Sequence, residues 1–91
     1  MDARAHISVK GVVQGVGFRA FVRDHAIELG VSGWVRNTTD GNLEAVFEGS
    51  RYKVMELVDL CRDGPRSSSV RELKVKWSEP TGEFGGFSVR F

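Results

Sequence analysis

Across the stretch VVQGVGFRAF, Val12 to Phe21, the spacing of apolar side chains changes from alternate positions to every third or fourth position. Before it, HISVKGVV puts Ile7 and Val9 on one side and His6, Ser8 and Lys10 on the other, the period of a half-buried strand. After it, Phe18, Phe21, Val22, Ala26 and Leu29 form a helical stripe that Arg19, Arg23, Asp24 and Glu28 mostly avoid. A strand must therefore become a helix within a few residues, and Gly15, Gly17 and Arg19 stand at the junction. Gly30 is placed to end that helix as a left-handed residue.

The rest of the chain fixes what this junction belongs to. GWVRNTTDGNLEAVFEG predicts two strands around a turn, with Asp40 and Gly41 at the positive φ angles of a tight hairpin. A second helix is expected to open at Ser50 as its cap, to bury Val54, Leu57, Val58 and Cys61, and to stop at Gly64 and Pro65. Leu73, Val75 and Trp77 then alternate, with Val70 out of phase, so a bulge or the SSS segment precedes the regular strand. Phe87, Val89 and Phe91 alternate after a connection bearing Pro80 and glycines. The order is βαββαβ with an additional C-terminal strand. That predicts an α+β, ferredoxin-like two-layer sandwich whose mostly antiparallel sheet is covered on one face by two helices. A chain of 91 residues has room for one modest core, so residues 1–91 are read as a single domain.

This topology has a geometric consequence. A right-handed βαβ crossover makes the first two strands parallel with the third antiparallel between them. Their C-terminal ends share one sheet edge, which receives both the glycine loop and Asn37. Successive N–H groups in such a loop can converge on an anion, the following helix start adds partial positive charge, and Arg19 offers a forked cationic donor. The same residues also suit an ordinary glycine turn with a surface arginine. Asn37 alone equally suits a residue that satisfies the adjacent TTDG turn.

Composition and motif spacing exclude several sharper alternatives. Thirteen basic and twelve acidic residues leave a net charge of +1, so no global field draws the chain to nucleic acid or an anionic membrane. The lone Cys61 excludes an internal disulfide, and no signal-like or membrane-length apolar run appears, which makes the cytoplasm the expected location. Gly15, Gly17 and Ala20 fit a dinucleotide fingerprint with Asp40 downstream, but Asp40 sits in a hairpin and the chain is too short for that fold. The glycine run lacks the Lys and Ser/Thr of a Walker A loop. CRDGPRS has its arginine five rather than six positions after Cys61, and Cys61 completes an apolar helix face, so it is read as core. His6 and His25 have no ligand-spaced partners and are read as surface or boundary residues.

VKGVVQGVGFR (Val9–Arg19) resembles the N-terminal signature of the acylphosphatase family, and GWVRNTTDGNLEAVFEG (Gly33–Gly49) its second signature. The resemblance continues through EPTGEFGGF and covers essentially the whole chain, departing at Gly17, where several members carry a bulkier residue, and at Leu43, where valine is usual. It implies hydrolysis of acyl phosphates to a carboxylate and inorganic phosphate, with no cofactor, no metal and no covalent intermediate. Carried over, it implies that Gln14, Gly15, Val16, Gly17, Phe18 and Arg19 bind the phosphoryl group, and that Arg19 and Asn37 are catalytic, Asn37 orienting the water. Thr39 is a candidate brace for Asn37. The Phe91 carboxylate is expected to pair with Arg19 if the last strand runs antiparallel to the one ending at Trp77.

Two other classes remain in view. Ferredoxin-like sheets bind RNA through exposed aromatics, and Trp34, Trp77 and several phenylalanines are present, but the chain lacks an RNP1-like run. A regulatory or accessory domain of a larger maturation enzyme is the second. The chain ending at Phe91 favours the stand-alone hydrolase, expected to be a monomer acting on a small acyl phosphate, without nucleic-acid or membrane partners.

Overall fold

In the computed structural model, which describes residues 1–91, strand β1 (Asp2–Val12) leads into helix α1 (Phe18–Leu29) and then strands β2 (Ser32–Asn37) and β3 (Leu43–Ser50). Helix α2 (Arg51–Asp63) and strands β4 (Ser69–Ser78) and β5 (Phe87–Arg90) follow. The five strands form one sheet in the order β4-β1-β3-β2-β5. All neighbouring pairs are antiparallel except β2 and β5. The architecture is the ferredoxin-like α+β sandwich with an added strand.

Alternation decides which face is covered. Ile7 and Val9 of β1, Val35 of β2 and Leu43, Ala45 and Phe47 of β3 are fully buried against Phe18, Val22 and Ala26 of α1 and Val54, Leu57 and Cys61 of α2. Each such Val, Leu, Ile or Phe contributes about 1.5 to 3 kcal/mol by leaving water, which makes this shared cluster the main stabilising element. Burial pushes the Cys61 thiol up to about 12, so it remains a protonated core residue at neutral pH. Between β1 and β4, Lys10 pairs with Glu72 and Gly11 with Val70, so Arg71 is the extra residue of a bulge. That bulge turns the out-of-phase Val70 back onto the core.

Three local expectations are corrected. Ser50 occupies the cap position of α2, but its hydroxyl makes no capping bond. Instead the Arg51 N–H donates to the Met1 carbonyl at 2.9 Å, because the start of β1 lies alongside the end of β3. In the β2–β3 connection only Gly41 takes a positive φ (90°), whereas Asp40 does not. The five residues 38–42 form a loop wide enough to need only that one reversal. Finally, β5 pairs parallel to β2 on the far edge rather than antiparallel to β4.

Glu48 accounts for that last arrangement. It projects from β3 to the uncovered face of the sheet, yet only 5% of its side chain is exposed. Its carboxylate accepts from Arg4 Nη1 at 2.6 Å, the Thr81 N–H at 2.8 Å and the Gly82 N–H at 3.0 Å, which pins the β4–β5 connection across the sheet. The Gly33 N–H then donates to the Gly86 carbonyl at 2.9 Å, and β5 begins beside β2. Burial opposes ionisation of Glu48, but the donors from Thr81, Arg4 and Gly82 outweigh it and hold the carboxyl below its usual range. Such a group stabilises the fold at pH values above its unfolded-state value. That contribution disappears as pH falls through the lowered folded-state value. Replacing Glu48 with Ala leaves several donors unmatched and is expected to cost about 2 to 3 kcal/mol in urea unfolding at neutral pH. The difference from the parent should shrink below about pH 4, where unfolded glutamate protonates. An equal difference at both pH values would contradict this role.

Candidate active site

The C-terminal ends of β1 and β2 lie on one edge of the sheet with β3 between them, because β1 and β2 each pair antiparallel with β3. Val13, only 1% exposed, anchors the chain as it leaves β1. The loop then crosses to α1 with Gly15 at φ 73° and Gly17 at φ 77°. A side chain added at either position would meet no atom within 4 Å, so the demand for glycine comes from the left-handed backbone rather than from crowding. The conformation leaves the N–H groups of Gly15, Val16 and Gly17 without a backbone acceptor. Those of Phe18, Arg19 and Ala20 belong to the first turn of α1, where no intrahelical acceptor exists. An unbroken run of N–H groups without backbone acceptors therefore stands at the positive end of a helix.

Gln14 fixes where this run points. Its side-chain Nε2 donates to the carbonyls of Thr38 and Asn42, each at 2.8 Å, tying the loop to the β2–β3 turn directly beyond Asn37. Sequence reasoning assigned Gln14 to the loop but missed this clamp. An amide with two donors was the visible signal; its acceptors, on a turn more than twenty positions away, were not.

The turn itself does not use Asn37. Thr38 accepts from the Asn42 N–H through its hydroxyl at 3.1 Å and donates to the Asp40 carboxylate. That hydroxyl, together with the Asn42 donors, holds the Asp40 carboxyl below its usual range. The Asn37 amide, half-buried at the end of β2, is left facing the cleft. Thr38 rather than Thr39 organises the turn, and no hydrogen bond joins Thr39 to Asn37.

Arg19 enters the same cleft from the first turn of α1. Its Nη1 donates to the Arg90 carbonyl at 3.3 Å, and its guanidinium lies 4.7 Å from the centre of the Phe91 ring. The end of β5 does reach this edge, but by running parallel to β2. What it presents to Arg19 is a carbonyl and an aromatic face; the expected ion pair with the Phe91 carboxylate is not formed.

The result is an open cleft of about 240 Å³ that brings Gly15, Gly17, Phe18, Arg19 and Asn37 together. Phe18 is 1% exposed, so it can offer a ligand only its backbone. Two members of the expected set lie outside the lining: Gln14 turns to the hairpin, and Val16 packs against the core. Val89, Ala20 and Arg23, not anticipated from sequence, complete the walls with Phe91, which was expected at this edge through its carboxylate rather than its ring. The side chains lining the cleft include two guanidiniums and one carboxamide but no carboxylate, imidazole or thiol. This arrangement suits a polyanionic group held from several sides, with Asn37 as a neutral donor and acceptor beside it.

Elsewhere the candidates have structural partners. His6 Nε2 lies 2.6 Å from Glu44, whose other oxygen binds Arg36 at 2.6 Å, and His25 packs edge-on against Phe21 with ring centres 4.6 Å apart. Trp34, on the uncovered face, lies under the guanidiniums of Arg36 and Arg90. No helix is long and apolar enough to cross a membrane.

Known proteins share both sequence and geometry with this chain. Residues 5–89 match the family model described as acylphosphatase. An acylphosphatase of Pelotomaculum thermopropionicum is 53% identical over 89 residues, spanning 98% of this chain and 97% of its own. One from a Roseiflexus species is 54% identical over 87 residues, spanning 96% and 94%. The crystal structure of acylphosphatase from Bacillus subtilis superposes with a TM-score of 0.94 at 34% identity, covering 98% of this chain and 99% of that one.

Proposed function

The chain belongs to the acylphosphatase family, hydrolases acting on acid anhydrides, and from that premise we propose that it cleaves the carboxyl–phosphate anhydride of acyl phosphates by direct attack of water, with neither a metal ion nor a covalent intermediate. The observation that carries this reading is the meeting in one cleft of Gly15, Gly17, the Arg19 guanidinium and the uncommitted Asn37 amide, at a loop and helix start whose N–H groups from Gly15 to Ala20 have no backbone acceptor.

The phosphoryl group sits in the loop, its oxygens accepting from the backbone N–H groups of residues 15–20 and from Arg19, while Gln14 holds the loop in register. Asn37 accepts from and orients a water on the side of phosphorus opposite the acyl oxygen. The water oxygen forms the new P–O bond, the old P–O(acyl) bond breaks, and the carboxylate leaves with the bonding pair. One proton of the water stays on the incoming oxygen and the other passes to a phosphate oxygen, giving dihydrogen phosphate, which then equilibrates with solvent as hydrogen phosphate. A carboxylate is stable near neutral pH, so departure needs no general acid, and catalysis reduces to positioning and stabilising charge. The sparse polar equipment of the cleft suits that demand. Its expected setting is the cytoplasm, as a monomer acting on small acyl phosphates rather than on nucleic acid or membrane.

Benzoyl phosphate hydrolysis tests the reaction. In isotopically labelled water with a chelator present, full turnover is expected, with one solvent oxygen in phosphate and none in benzoate. A phosphorus-chiral thiophosphoryl analogue is expected to react with inversion. Retention would reveal a covalent intermediate, label in benzoate would reveal attack at carbon, and metal-restorable loss of activity would reveal a metal requirement; each outcome defeats the corresponding part of the proposal.

A further inference from the structure

We propose that Arg23 selects acyl phosphates whose acyl group carries a second anion, an assignment that builds on the reaction proposed above and names its substrate class. The phosphoryl end of the cleft is served by the glycine loop and Arg19. Beyond it, the walls are Ala20 and Arg23 on α1 and Val89 and Phe91 at the end of β5. An acyl group that fills the remainder of the cleft lies against these residues. Three of the four walls there are apolar. Arg23 is the one charged side chain among the four, and it stands one helical turn after Arg19 on the same face of α1.

The present partner of Arg23 is weakly held. Its Nε and Nη2 both bind a single oxygen of the adjacent Asp24 at 3.1 Å, leaving Nη1 without a partner. The two side chains are 44% and 68% exposed, and an ion pair so open to water contributes little to stability. A carboxylate or phosphate at the far end of an acyl chain can therefore add to the free edge of the guanidinium or displace Asp24 at small cost. Arg23 does not reach the reacting phosphorus in this arrangement. It acts on which substrate is bound, while Arg19 acts on the group transferred.

The experiment compares succinyl phosphate, which bears a second carboxylate, with butyryl phosphate, which is neutral at that end. The readout is the ratio of their kcat/KM values. In Arg23→Gln the ratio is expected to fall about fivefold, the upper end for a half-exposed pair. It should fall further in Arg23→Glu and stay within about twofold of the parent in Arg23→Lys, which keeps the charge. Raising the salt concentration should compress the difference between the parent and Arg23→Gln. A ratio in Arg23→Gln or Arg23→Glu that matches the parent overturns the assignment, as does a Lys variant that behaves like Gln. Absence of turnover by the parent on both compounds would instead overturn the hydrolase reading, and the role of Arg23 with it.

Discussion

Replacing Arg19 with alanine is expected to lower kcat/KM for benzoyl phosphate by at least about a hundredfold, while urea unfolding changes little. The catalytic loss follows from where charge develops. A preorganised donor aimed at oxygens that gain charge in the transition state is worth roughly 3 to 4 kcal/mol, and every 1.4 kcal/mol is about a factor of ten. Arg19 is preorganised in this sense: the Arg90 carbonyl takes one of its N–H groups and the Phe91 ring covers one face of its plane. Neither contact neutralises it. Lysine should not rescue, because a point charge on a flexible stem loses the fork that meets two phosphate oxygens at once. Inorganic phosphate should also inhibit the alanine variant more weakly. The stability expectation follows from position, since Arg19 lies outside the buried cluster and its bonds are few. A loss of less than tenfold, or a loss matched by unfolding, would remove Arg19 from the catalytic role.

What held Arg19 in place was the least legible part of the molecule. The apolar periods of β1, α1, β2, β3 and α2 were readable because each buries one continuous face in the same cluster, and burial is what writes a period into sequence. The βαβ crossover then placed the glycine loop and Asn37 on one edge without reference to any side chain. The phase of Val70 pointed to a bulge or to the SSS segment before the regular strand, and a bulge at Arg71 is what forms. The strand order at the C-terminal end did not. Phe87, Val89 and Phe91 alternate equally well against β4 or β2, and the choice was made by Glu48, a charged residue whose partners Arg4, Thr81 and Gly82 are scattered through the chain. Hydrogen bonds of that kind leave no periodic trace. The Gln14 clamp and the Met1 carbonyl at the start of α2 were hidden for the same reason. Asn37 lay between the two cases: its place on the edge followed from topology, but its freedom from the turn depended on the Thr38 hydroxyl taking that work.

That freedom sets the expectation for Asn37→Ala. Turnover on benzoyl phosphate should fall on the order of a hundredfold, the scale on which losing control of a reacting group's position acts. KM and inhibition by inorganic phosphate should move far less, because in the proposed reaction it is the loop N–H groups and Arg19 that hold the phosphate. The two variants therefore separate by signature, Arg19→Ala losing phosphate affinity and turnover together and Asn37→Ala losing mainly kcat. Thermal stability should be close to the parent's, since Thr38 and Gln14, not Asn37, hold the turn and the loop. Asn37→Asp offers a further discrimination. It keeps the shape but removes the NH₂ donor and sets a negative charge beside the phosphoryl oxygens, so it should be no better than alanine in kcat and should in addition weaken phosphate binding. If Asn37→Ala instead raises KM at constant kcat, the amide binds the ground state and the water must be held by another group in the cleft.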